Sequence, residues 1–65
     1  MKYRVIWNNA TKTALSVVLD QSDTITTFPD IDIEYAVVYD LNEIKSMLLL
    51  LEYNVEVITD YQNNS

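Results

Sequence analysis

No glycine occurs anywhere in the 65 residues, and that absence constrains the fold more than any residue that is present. Glycine is the usual residue wherever a chain must take positive φ. Without it, tight turns fall to Asn or Asp, which tolerate that region better than other side chains. Asn8-Asn9 is the first place where this matters. It follows Lys2–Trp7, in which Tyr3, Val5 and Trp7 point one way and Arg4 and Ile6 the other, the period of a strand. After Ala10-Thr11-Lys12 the alternation resumes, with Leu15, Val17 and Leu19 on one face and Ala14, Ser16 and Val18 on the other. Two such runs around a short polar loop predict a β-hairpin.

Asp20-Gln21-Ser22-Asp23 has the composition of a turn. Thr24–Phe28 is β-branched and reads either as a short strand or as part of a long loop closed by Pro29-Asp30. Ile31 to Tyr39 alternates again, with Ile31, Ile33, Tyr35, Val37 and Tyr39 on one face and Asp32, Glu34, Ala36 and Val38 on the other. Asp40 is placed to cap a helix, with Glu43 three residues on. Leu41, Ile44, Met47, Leu48 and Leu51 then recur at helical spacing, and the helix is expected to end near Glu52. Tyr53–Tyr61, with Tyr53, Val55 and Val57 alternating against Asn54 and Glu56, predicts a last strand. The expected architecture is one α+β domain spanning 1–65: a mainly antiparallel sheet of three to four strands, one helix on a face, order β-β-(β)-β-α-β.

A single core of this size rarely supplies more than ~3–5 kcal/mol, so a partner or a second copy is expected to add stability. With neither cysteine nor histidine in the chain, disulfides, zinc sites of the usual kind, thiol nucleophiles and imidazole bases are excluded. The missing glycines exclude a phosphate-cradling loop. A carboxylate pair could still act on glycosides, but that chemistry needs a cleft which so small a fold has little material to build. The chain is therefore read as non-enzymatic and without cofactors. Asp30-x-Asp32-x-Glu34 resembles the opening of a calcium loop, yet Tyr35 stands where the loop needs glycine and Leu41 where it needs a bidentate Glu, so no metal site is expected. No apolar run approaches the ~20 residues of a membrane span, and nothing near Met1 resembles a secretory h-region, so a cytoplasmic protein with no membrane contact is expected.

Two features remain as candidates for function. Ten carboxylates against four basic residues give a net charge of −6, a field that repels nucleic acid and favours a basic protein surface. On an extended strand Asp30, Asp32 and Glu34 share one face at a spacing of roughly 6.5–7 Å, near that of successive phosphates, and Asp20 and Asp23 are placed to extend the row. The other reading of that row is a solvated face whose charges discourage edge pairing. The second feature lies on the helix. Leu49 and Leu50 fall outside its apolar stripe, among Asn42, Glu43 and Ser46. Either the 20–30 loop covers them or they form an exposed patch for a partner or a homodimer.

In size, acidity and want of catalytic residues the chain resembles phage-encoded inhibitors of host nucleic-acid machinery, a class that includes anti-CRISPR proteins and DNA mimics. Locally, Leu41-Asn42-Glu43-Ile44-Lys45-Ser46-Met47 followed by Glu52-Tyr53-Asn54-Val55-Glu56-Val57-Ile58-Thr59 is similar to the helix-then-strand unit of the RNA polymerase epsilon subunit of Gram-positive bacteria, and to that of a small phage inhibitor of bacterial RNA polymerase. The 20–34 segment is longer here, and the resemblance implies no particular site residues. Together these readings predict an inhibitor or regulator that binds a basic surface of a nucleic-acid-handling protein through Asp20, Asp23, Asp30, Asp32 and Glu34. The alternative is an accessory subunit, or an RNA polymerase inhibitor, docked through Leu49 and Leu50.

Overall fold

The computed structural model describes residues 1–20 and 27–63. They form an α+β fold, a three-stranded antiparallel sheet with two helices packed on one face. The strands are β1 (Tyr3–Asn8), β2 (Thr13–Leu19) and β3 (Ile33–Val38), arranged β2-β1-β3. The helices are α1 (Leu41–Leu50) and α2 (Glu56–Asn63).

The expected hairpin is present, but its turn works differently from the expectation. Asn8 contributes its side chain rather than a positive φ: its Oδ1 accepts the amides of Ala10 (2.8 Å) and Thr11 (3.2 Å). The residue that does take positive φ is Lys12, at 54°. The face assignment of β2 is also corrected. The register shifts opposite Ile6/Trp7, where Ser16 pairs with Ile6 but Ala14 with Trp7, leaving Leu15 as the extra residue of a bulge. One inserted residue inverts the parity of a strand. Ala14, not Leu15, therefore joins Val5 and Trp7 in the core, and Leu15 is exposed.

The second correction concerns the C-terminal strand expected over Tyr53–Tyr61, most of which is helix α2. Asn54 meets Thr13 in a single bridge, and its Oδ1 then accepts the Glu56 amide at 3.0 Å, as a helix cap does. Helical bonding begins at the Val55 carbonyl, which takes the Thr59 amide at 3.1 Å. Val55, Ile58 and Tyr61 recur every three residues and turn to the core. The β-branched residues that favour a strand intrinsically are overridden here by burial, since propensity is worth only tenths of a kcal/mol per residue.

Helix α1 starts as expected, with the Asp40 side chain accepting the Asn42 amide at 2.9 Å. It ends in a Schellman motif: Glu52 donates to the Leu49 carbonyl (3.0 Å) and Tyr53 to that of Leu48 (2.9 Å). Glycine is the usual residue at the position that Glu52 occupies, at φ 65°. Of the five-residue stripe, Leu41, Ile44 and Leu48 are buried. They meet Val5, Trp7, Ala14, Val55 and Ile58 in a core to which Tyr3, Val17, Ala36, Val38, Tyr53 and Tyr61 add their inner sides. Near it the Asn9 Oδ1 accepts from both the Trp7 indole and the Tyr53 hydroxyl, tying the hairpin loop to the segment between the helices.

Candidate functional site

Among the described residues, Asp30, Asp32 and Glu34 do not share one extended strand. β3 begins at Ile33, so Asp30 and Asp32 lie in the turn that precedes it rather than on an extended strand. The Asp30 Oδ1 accepts the Asp32 amide (2.9 Å), an Asx-turn that shapes the entry to β3. The Asp32 carbonyl accepts the Asn9 amide (2.8 Å), so this turn is stitched to the hairpin. Glu34 alone is in the strand, in register with Trp7 and with its side chain exposed.

Asp20 has a structural role. Its carboxylate sits 3.0 Å from the Arg4 guanidinium and 3.9 Å from Lys2, with the Asp20 and Arg4 side chains only 7% and 11% exposed. Arg4 lies on the sheet face opposite the helices and also stacks over the Tyr35 ring at 5.0 Å, and Phe28 meets that ring edge-on at 6.2 Å. The cation and carboxylate thus hold Asp20, just past the end of β2, against the sheet face opposite the helices. Asp23 lies outside the described residues. Among the described residues no three metal-binding side chains converge on a cation site, and no helix is long and apolar enough to cross a membrane.

The other candidate surface is fully formed. Leu49 is 51% exposed and Leu50 84%, and their neighbours Met47 (43%) and Leu51 (53%), expected in the core stripe, are exposed as well. Successive helical residues turn by about 100°. Leu49 therefore lies on the flank of α1 shared with Asn42, whose Oδ1 accepts from Gln62 of α2 at 2.9 Å. Met47 and Leu51 lie on the opposite flank. There Met47, Ile44 and Glu43 line an open groove with Val38 of β3. Leu50 points away from the sheet between the two flanks. The result is an apolar cap over the last turn of α1, with the carboxylates of Glu43 and Glu52 adjoining it along the chain.

Met47 and Leu51 are the members of this surface that periodicity misassigned. The signal that could have found them is the count of apolar residues in the last turn: Met47 to Leu51 is five in a row, and a helix on one sheet face buries only one side. No family model matches the chain, and no curated protein or solved structure matches it with significance.

Proposed function

We propose that this chain is a non-enzymatic binding protein, an inhibitor or regulator that seats the exposed end of α1 in an apolar groove with a basic rim on a nucleic-acid-handling protein. One observation carries the reading: Met47, Leu49, Leu50 and Leu51, spread around the end of α1 on both flanks and its outer side, are all exposed. So many exposed apolar side chains at one helix end support an interaction site. An apolar centre within a polar margin is also the anatomy of protein interfaces. The net charge of −6 selects a partner of opposite sign, and proteins that handle nucleic acid present basic surfaces for phosphate. Phosphate mimicry draws less support, because Asp20 is tied to Arg4 and the Asp30 carboxylate holds a turn.

The test is affinity capture from a bacterial lysate at low and high salt, using the wild-type chain, Leu50→Glu, and the triple variant Asp30→Asn, Asp32→Asn, Glu34→Gln. Leu50→Glu is expected to fold normally and to lose the captured partner at both salt concentrations. The triple variant is expected to keep it, with weaker capture only at low salt, since rim charges act mainly on association rate. A folded Leu50→Glu protein that captures the same partner as the wild type would overturn the reading.

A further inference from the structure

The five tyrosines of the chain divide into two sets. Two of them already receive the chain's own cations, Arg4 over Tyr35 at 5.0 Å and Lys12 over Tyr53 at 5.8 Å. The other three, Tyr3, Tyr39 and Tyr61, line one open pocket of about 420 Å³ between the start of β1, the turn into α1 and the end of α2. Tyr3 and Tyr61 are half-buried and meet edge to face, with centroids 5.8 Å apart and planes at 82°, so they form a corner rather than a stack. Tyr39 is 75% exposed, with most of its ring in solvent.

The charged lining of this pocket has one sign. Asp40 supplies a carboxylate, and among the described residues no basic side chain lines the pocket. The Asn42 amide uses one acceptor position of that carboxylate, which has several. Asn42 in turn accepts from the Gln62 side chain at 2.9 Å, fastening the first turn of α1 to the last turn of α2 beside the pocket. The helix poles do not reverse the sign. The amide end of α1 attracts anions, but Asp40 caps it, and α2 brings its carbonyl end with no basic residue in its last turn. Tyrosine faces are themselves negative and attract a cation within ~6 Å of the ring centroid. Rings and carboxylate therefore favour an organic cation over a phosphate.

We propose that this pocket receives the side chain of an arginine from the partner protein. A planar guanidinium lies against tyrosine faces while donating to a carboxylate, and it sheds water more readily than an ammonium. The fold already uses the pairing once, at Arg4 and Tyr35. The net charge of −6 draws such a side chain in. Position adds a further argument. Asn42 and Leu49 are seven residues apart, so they fall on the same flank of α1, about 10 Å from each other along its axis. A partner seated on the apolar end of α1 therefore holds its basic rim within a side chain's reach of the pocket. The source of the arginine rests on the docking reading above; the pocket's preference for a guanidinium does not.

NMR titration of the intact chain with N-acetyl-arginine amide tests the proposal, with the lysine amide and the neutral, isosteric citrulline amide as comparisons. Saturable shifts at Tyr3, Tyr39, Asn42 and Tyr61 are expected with arginine, weaker ones with lysine and none with citrulline. Tyr39→Ala, at an exposed position, should weaken binding about two- to fivefold, the size of an exposed cation–π contact. Asp40→Asn keeps a side-chain acceptor for the Asn42 amide, so the helix cap survives, while affinity should fall and lose much of its salt dependence. Leu50→Glu should bind arginine amide as the wild type does. A wild-type chain that takes the probe but captures no partner from lysate would sink the docking reading alone. One that captures its partner but does not take arginine amide would sink the pocket alone. Absence of saturation by tens of millimolar arginine amide would overturn the proposal. So would a preference for lysine amide, equal binding of citrulline amide, or full-strength binding by both Tyr39→Ala and Asp40→Asn.

Discussion

The acidic segment around β3 and the apolar end of α1 both stand out in the sequence, and the fold treats them in opposite ways. Two of the four described carboxylates of the first are used internally, Asp20 as a counter-ion of Arg4 and Asp30 as an acceptor for the Asp32 amide. The leucines of the second exceed what one small sheet can cover, and four apolar side chains are left in solvent. A carboxylate at a turn finds a local donor within two residues. An apolar side chain has no such local remedy and is satisfied only by a packing surface. Surplus apolar residues are therefore the better pointer to a partner in so small a domain.

The sharpest way to break this comparison lies within α1 itself, at two leucines two residues apart. Leu48 is 0% exposed and touches the core throughout, so Leu48→Ala should cost about 3–4 kcal/mol and bring the domain near unfolding. Leu50→Ala should change stability by less than about 0.5 kcal/mol, as surface substitutions do. Urea denaturation followed by circular dichroism compares them directly. Equal losses would mean that Leu50 is packed.

Next in size is the carboxylate with a structural role. Asp20→Asn takes one carboxylate from the Arg4 guanidinium and from Lys2, and losing a hydrogen bond to a charged group costs about 1.5–3 kcal/mol. Asp30→Asn should be nearly silent, because the amide oxygen can still accept the Asp32 N–H. Similar denaturation midpoints for Asp20→Asn and the wild type would show that Asp20 is as dispensable as an exposed acid.

The smallest effect is a gain. Glu52 holds positive φ with a side chain that disfavours it, so Glu52→Gly should stabilise the domain by about 1 kcal/mol, less the entropy that glycine adds to the unfolded chain. A raised melting temperature is the expected reading. A lowered one would mean that the Glu52 side chain contributes more than its backbone strain removes.

By itself the sequence determined the class of fold, the hairpin, the strand before α1 and the cap at Asp40, because each rests on contacts between residues close in the chain. Alternation, a polar loop and an Asp three residues before a Glu are legible without any tertiary partner. Tertiary structure decided the remainder. Tyr53, Val55 and Val57 fit a strand while Val55, Ile58 and Tyr61 fit a helix, and only the core containing Trp7 and Leu48 selects α2. The bulge at Leu15 inverts half of β2 through its register against β1, which no local pattern records. Glu52 took a position made for glycine because the chain must turn from α1 back to Thr13, and the Schellman bonds together with the burial of Tyr53 outweigh the strain. Whether Met47, Leu49, Leu50 and Leu51 face a core or solvent depends on how much sheet lies beneath the helix, and three strands cover only the side that carries Leu41, Ile44 and Leu48.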